Sequence, residues 1–501
     1  MVLSAILLAA TLQTNVASVT KIYDRDYAKK LVPMLTEVIS FPTTQFDTEG
    51  HAAQKAWLAK TAGDLGFTYR DAGLISEIEL PGPPNAPVLG LMVHGDVQPV
   101  DADEWFFPPF TAKADETYVY GRGSADDKGP LVQALLAMKA LADSGIARTH
   151  AVRLLVGSDE ESNNTDVTEY LKTHQPPDYT LVIDSEFPVV VGEKAWNSLT
   201  LTTDAKSERP GITKPYSVSF IQAGLAASIV PDRAEVKLLW KGEAADWEPV
   251  IAAVKAAKLP SDTRIATQAT GAELRIVAYG HSSHAGVNLE SGRNALVALA
   301  HALDGLLPTG GANDLLAFVR LAGADIYGTG LGITDSDTLW GRYAVNIATI
   351  KPDATDPKLS TLTINIRRTP PRTGPQLKAK MEDLVAAFNK STGASLVPAG
   401  FYGDEPLAFD PNSKIVRRLL ADYAAATGTK NPKPAISGGG TYAKRLPNSI
   451  AFGMWFHDKP YPGHDVNEKN PIADLQKGTK VLIHAIVDIA TGPKIENAFK
   501  P

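Results

Sequence analysis

The feature that most constrains this chain is a set of short apolar segments, each running into acidic or imidazole residues. Residues 88–93 form a compact apolar run that stops at His94. Residues 151–156 form a second, just before Asp159-Glu160-Glu161, and residues 179–183 a third, ending at Asp184. Between the first two, residues 129–144 read as a helix with Pro130 near its start, where a missing N–H costs nothing. Buried strands that alternate with helices pair in parallel, with the helices covering the sheet.

Near Trp196 the texture changes. Half-apolar alternation appears at 198–203, 235–239, 273–279 and 359–366, and helices fit at 247–258, 293–307 and 376–390. Residues 413–427 and 477–490 then read as helices, and 449–456 as another buried strand. A length of 501 residues is too great for one ordinary domain. The predicted fold class is α/β: a mostly parallel sheet domain with helices on both faces, interrupted by an α+β domain. The expected boundaries are 19–197 with 401–501 for the first and 198–400 for the insert.

The chain has no cysteine, so disulfides, thiolate catalysis and cysteine metal ligands are excluded, and any metal must be held by His, Asp and Glu. A net charge of −7 gives no basic footprint for nucleic acid. Residues 2–12 form a short apolar run followed by Val16, Ala17 and Ser18, the layout of a cleaved secretory signal over 1–18, although no Lys or Arg precedes the run. The run is shorter than the roughly 20 residues that span a bilayer. The expected location is periplasmic or secreted, with no stable membrane association after cleavage.

Five segments carry the chemistry: His94-Gly95-Asp96, Gly121 to Gly129 with Asp126-Asp127 at its centre, Ser158 to Glu161, Ile183-Asp184, and Gly463-His464 with Asn467-Glu468. Each alone has a bland reading as a turn, a solvated face or a favourable charge at a helix start. Together, most of them follow strands, and ligands of open α/β sheets bind beyond the carboxyl ends of strands. Two imidazoles and three carboxylates converging there repel one another unless a cation neutralises them. Nitrogen and oxygen donors without sulfur suit Zn2+, with Mn2+ or Co2+ as substitutes.

In this order the segments resemble the dinuclear zinc family of carboxypeptidase G, aminoacylase and carnosinase. The run Gly438-Gly439-Gly440-Thr441-Tyr442-Ala443 resembles its PepV-like dipeptidase branch. The resemblance covers nearly the whole chain after the N-terminal run. It implies two Zn2+, with His94 and His464 each binding one, Asp126 bridging both, Glu161 completing one site and Asp184 the other. It implies Glu160 as general base, Asp96 orienting His94, and a cis peptide after Asp126. In the inserted domain, Gly280 to Ala295 resembles the family's lid motif, implying that His284 reaches the oxyanion. Arg367 resembles the arginine that grips the substrate carboxylate, with Arg368 beside it as the rival, and Gly439, Gly440 and Thr441 are expected at the substrate. Two residues depart from the relatives' usual pattern: Ser228 in place of Asn and Lys444 in place of Arg.

The expected function is metal-dependent hydrolysis of dipeptides by a zinc-bridging water. The alternatives are an N-acyl amino acid deacylase on the same scaffold and a non-catalytic secreted metal-binding module. Asp184 argues against the deacylase, since Glu at this position is typical of that branch, and Glu160 argues against the non-catalytic module. A lid of about 200 residues implies two halves folded in one chain, hence a monomer in which His284 acts within its own chain.

Overall fold

The computed structural model describes residues 2–356, 358–461 and 463–501. The chain forms two compact units, one of residues up to Glu193 together with Leu407–Pro501, the other Lys194–Pro406. The expected boundaries at 197/198 and 400/401 compare with transitions at 193/194 and 406/407. The strand Ala195–Thr203 begins before the half-apolar pattern becomes readable, and the strand Val397–Gly403 pairs with it.

The first unit is built on a six-stranded sheet. Its strands run in the order Thr68–Ala72, Ile75–Leu80, Ala151–Gly157, Val88–His94, Tyr179–Val182, Ser449–Ala451. The last four pair in parallel, and the first two form an antiparallel edge. Alternate residues of each strand enter two separate cores. Leu89, Leu91, Leu154 and Leu181 face one core with the helices Lys128–Asp143 and Ile472–Thr491. Met92, Leu155 and Val182 face the other, with Val167 and Tyr170 of the helix Asp166–Leu171. Covering by helices on both faces explains why these strands read as unbroken apolar runs. The apolar stretch 449–456 is two short strands, Ser449–Ala451 and Met454–Phe456, lying in different sheets.

The N-terminal helix Val2–Ile22 places Val16 and Val19 in the first unit's core. Among the described residues, no helix is long and apolar enough to cross a membrane.

The second unit is an eight-stranded antiparallel sheet with the helices Glu248–Ala256, Ala295–Ala302, Gly311–Ala322 and Gly374–Thr392 sharing its core. Its strands fall into two sets of four. The strands Tyr216–Ala223 and Ala344–Pro352 join the sets through a single register pair, Ala223 with Ile350.

Candidate metal centre

Three neighbouring parallel strands set the site. His94 ends its strand and pairs with Gly157, and Met92 pairs with Val182. Glu160, Glu161 and Asp184 follow within a few residues of those ends, so one crevice collects them. A Cβ on Gly157 would lie 2.0 Å from the Tyr442 hydroxyl and 2.5 Å from Asp166 Oδ2, so only glycine fits there.

The loop after Gly157 is shaped by two carboxylates. Asp159 accepts from the Ser162 hydroxyl (2.5 Å), the Thr165 hydroxyl (2.6 Å) and the Thr165 N–H (3.0 Å). Asp166 accepts from the Ser158 N–H (3.0 Å), the Asp159 N–H (3.2 Å) and the Tyr442 hydroxyl. The loop Gly121–Asp127 starts with positive φ at Gly121 (143°) and Gly123 (90°) and ends in a cis Asp126–Asp127 peptide. Glu468 fastens it, accepting from Arg122 (2.6 Å), the Ala125 N–H (2.8 Å) and the Asp126 N–H (3.3 Å). His464 and Asn467 both sit in the left-handed region, at φ 65° and 60°. Side chains other than glycine rarely adopt it, and such strain collects at functional sites.

The structure brings His94, Asp126, Glu161, Asp184 and His464 together. Asp126 Oδ1 is 2.9 Å from His94 Nε2 and its Oδ2 is 3.1 Å from His464 Nε2. His464 Nε2 is 2.8 Å from Glu161 Oε1, and His94 Nε2 is 3.9 Å from Asp184 Oδ1. Donor atoms of His94, Asp126 and Glu161 lie within 4.8 Å of one another, as do those of His94, Asp127 and Asp184. Glu160 belongs to neither group, although it is adjacent to Glu161 and feels the charge of Asp184.

Asp96 acts differently from the sequence expectation. Its backbone carbonyl, not its carboxylate, accepts from His94 Nδ1 at 2.9 Å, and the nearer carboxylate oxygen stands 3.6 Å away. The carboxylate instead accepts from the N–H groups of Glu160 (3.2 Å) and Glu161 (2.9 Å). The carbonyl can only accept, so Nδ1 donates to it and Nε2 is left facing Asp126.

The electrostatics fit a divalent cation. Burial, and then the charge of Asp184, holds Glu160 well above the ordinary glutamate range. Burial likewise raises Asp184, with Asp127 adding to it, and raises Asp127 itself. Asp96 is pushed up to about 7 by burial. Burial opposes charge on both imidazoles, yet the carboxylates outweigh it: Asp126 and Asp184 hold His94 high, and Glu161 with Asp126 pushes His464 up to about 10. Carboxylates that resist ionising beside imidazoles that retain protons mark a place short of positive charge. Asp127 Oδ1 is also buried without a hydrogen-bond partner. His/carboxylate donors in this arrangement suit Zn2+, Mn2+ or Co2+.

Four further residues at the site were not singled out from the sequence. Gln98 donates to Glu161 Oε2 at 2.6 Å, the Tyr461 hydroxyl donates to Asp126 Oδ2 at 2.5 Å, Asp127 accepts from the His94 N–H at 3.1 Å, and Glu468 holds the loop of Asp126. Asp127 and Glu468 lay inside quoted motifs, so their spacing carried the signal. Gln98 and Tyr461 carried none.

The glycine-rich run adjoins this site through Tyr442, but Thr441 is committed to Glu193. Its hydroxyl donates at 2.7 Å and its N–H at 3.0 Å, which fixes the backbone of Gly439 and Gly440 beside it.

In the second unit, His284 Nδ1 accepts from the N–H groups of Gly286 (3.0 Å) and Val287 (2.9 Å), while Asn288 Oδ1 accepts the His284 N–H at 2.7 Å. Two donors on Nδ1 leave the ring proton on Nε2. Arg368 is tied to Asn197 (3.0 Å), the Asp404 carbonyl (3.2 Å) and Glu405 (2.8 Å). Arg367 makes one of its bonds to Asn365, at 3.0 Å from Nε. Register opposes Arg367 to Trp196 and Arg368 to Ala195.

Residues 90–488 match the family described as Peptidase family M20/M25/M40. The chain belongs to this peptidase family. As an M20 peptidase it is 28% identical over 446 residues to YtjP of Bacillus subtilis (strain 168), covering 88% of this chain and 91% of that protein. It is 27% identical over 462 residues to the Beta-Ala-Xaa dipeptidase of Lactobacillus delbrueckii subsp. lactis, covering 91% and 89%. The M20 fold is also seen in human carnosine dipeptidase 1, with a TM-score of 0.59 at 14% identity, covering 94% of this chain and 98% of that one.

Proposed function

We propose that this M20 peptidase hydrolyses dipeptides with a free amino terminus, using divalent metal held by His94, Asp126, Glu161, Asp184 and His464. The observation that carries the reading is the division of Asp126 between two imidazoles, each with its own further carboxylate nearby. It supports two ions, with Zn2+ the best match to the donors. A bound ion lowers the pKa of water and polarises a carbonyl. The relatives support the substrate class, one of them being named a β-Ala-Xaa dipeptidase.

Glu160, raised by burial and standing outside both ligand groups, accepts the proton of the attacking water and returns it to the leaving amine. Asp96 holds the backbone that carries Glu160 and Glu161 apart in role. His284, with its proton on Nε2, donates to the developing oxyanion. Arg367 grips the substrate carboxylate, as the resemblance to the family's arginine implies, while its neighbour Arg368 is engaged with Asn197, Glu405 and the carbonyls of Arg372 and Asp404.

The second unit contains two four-stranded sets in one chain, which supports a monomer. Export is proposed on the apolar N-terminal segment. Val16 and Val19 lie in the core, so N-terminal sequencing of exported protein locates any processing relative to them.

The test is turnover of a dipeptide panel with Zn2+, Mn2+ or Co2+, with and without chelator. Free dipeptides are expected to be cleaved far faster than their C-terminal amides, N-acyl amino acids or longer peptides. Arg367→Ala is expected to lower kcat/KM about tenfold or more, the worth of a charge-assisted hydrogen bond. Preferential cleavage of N-acyl amino acids would overturn the substrate class, and full activity without metal would overturn the mechanism.

A further inference from the structure

A cavity of about 510 Å3 lies within the first unit, bordered by Asp127 and Asp184. Its apolar walls include Tyr118, Met454, Trp455, Phe456 and Tyr461, and Asp465 and Asp474 line its polar side. The size falls in the roughly 300–1,000 Å3 range of small-molecule sites, and aromatic side chains form its apolar walls.

The walls are held in place before any ligand arrives. The Trp455 and Tyr461 rings meet edge to face at 5.4 Å. Trp455 Nε1 donates to the Lys459 carbonyl at 2.8 Å, and the Tyr461 hydroxyl donates to Asp126 at 2.5 Å. The cations of the cavity are occupied: Lys459 pairs with Asp474, and Lys469 lies 4.6 Å from the centre of the Tyr118 ring. At the metal-centre side Asp127 borders the cavity with its Oδ1 buried and without a hydrogen-bond partner, an acceptor position suited to an N–H donor such as a substrate's amino group.

A ligand matched to this cavity has an ammonium at one end and a bulky apolar side chain next to it. That is the amino-terminal residue of a peptide. We infer that this cavity receives the side chain of the substrate's amino-terminal residue and selects large apolar, above all aromatic, side chains there. The inference rests on the dipeptide reading above and adds its side-chain preference. A residue such as alanine leaves most of the cavity unfilled, and β-alanine offers it no side chain at all.

The experiment compares kcat/KM for Phe-Ala, Trp-Ala, Leu-Ala, Ala-Ala and β-Ala-Ala with the metal-loaded full chain. The aromatic substrates are expected to exceed Ala-Ala at least tenfold. Trp455→Ala is expected to reduce the Phe-Ala to Ala-Ala ratio at least tenfold, whereas Trp455→Phe keeps most of it. Calorimetric titration of the same protein with L-Phe and L-Ala reads the cavity without turnover, and L-Phe is expected to bind at least tenfold tighter. Cleavage of all five at similar kcat/KM, or equal loss on all of them in Trp455→Ala, overturns the inference and leaves the dipeptide reading standing. No cleavage of any dipeptide overturns that reading, and equal binding of L-Phe and L-Ala then overturns the cavity assignment as well.

Discussion

Asp126 turns one carboxylate oxygen to His94 at 2.9 Å and the other to His464 at 3.1 Å. The two histidines come from opposite ends of the chain, so this one side chain ties the strand end at His94 to the C-terminal loop. Its two oxygens cannot be replaced by an amide, whose nitrogen donates and does not ligate. Asp126→Asn is therefore expected to lose both metal equivalents, whereas Asp184→Asn and Glu161→Gln each lose one preferentially. The loss of affinity is expected to exceed the roughly 10–100-fold that outer partners cost. Elemental analysis after gel filtration reads it, and a variant retaining two tightly bound ions contradicts the bridging role.

Glu160 and Glu161 are adjacent, yet only Glu161 contacts His464, at 2.8 Å. Glu160→Gln is expected to keep its metal content while kcat falls about 10²–10⁴-fold, the range for losing a general base. Glu161→Gln is expected to lose metal first, with activity recovering in excess Zn2+. Near-normal turnover in metal-replete Glu160→Gln contradicts the assignment.

Much of this centre was legible because it is built from strand ends. Once residues 88–93, 151–156 and 179–183 are read as buried parallel strands, the sheet itself collects His94, Glu160, Glu161 and Asp184. The inserted unit was legible by its alternation, as in the strands Arg233–Trp240 and Glu273–Tyr279. The helix Gly311–Ala322 was missed because Gly310, Gly311 and Gly323 flank it and read as loop. Gln98 and Tyr461 were missed for a different reason. They act through hydrogen bonds to Glu161 and Asp126, and a single polar residue outside a motif has no period or spacing to betray it. Asp96 shows the same limit from the other side, since sequence places it beside His94 without telling carbonyl from carboxylate.

Glu468 is the next residue to test. It is fully buried against Arg122 and holds the N–H groups of Ala125 and Asp126. Burial raises its acid range, with Arg122 opposing. Glu468→Gln leaves Arg122 buried without a counter-charge, at a cost of about 3 kcal/mol or more. The same change loosens the backbone that presents Asp126, so metal affinity is expected to fall about 10–100-fold. Urea unfolding and metal titration read the two effects separately. Loss of stability with unchanged metal affinity shows that Glu468 supports only the fold.

Stability is expected to fall in mild acid through two histidines away from the centre, the buried His150 and the half-buried His484. Burial lowers His150, with Asp178 opposing, and lowers His484, with Asp488 opposing. Each binds fewer protons folded than unfolded once the pH drops below the unfolded value of 6.5. Their contribution is thus complete above 6.5 and is lost as pH falls through the lower folded value. Melting temperature is expected to decline between about pH 7.5 and about 5.5 at saturating metal, following the histidine range. His484→Gln is expected to flatten that decline. An unchanged slope assigns the acid sensitivity to other groups.

His284 gives the last prediction, which concerns a proton's position. Gly286 and Val287 both point N–H groups at Nδ1, at 3.0 and 2.9 Å. Neither amide can accept, so a neutral ring must carry its proton on Nε2, the orientation an oxyanion donor needs. Asn288 fixes the turn that brings those amides round by accepting the His284 N–H at 2.7 Å. The ring nitrogens of His284 are expected to show the Nε2–H tautomer in 15N NMR near neutral pH, and Asn288→Ala is expected to mix in the other tautomer. His284→Ala should then lower kcat about 10²–10³-fold with little change in KM, as for loss of one oxyanion donor. Asn288→Ala should lower kcat less, in step with the share of the wrong tautomer. A predominantly Nδ1–H ring in the wild type removes the structural basis for this role, and a variant that loses only KM reassigns His284 to substrate binding.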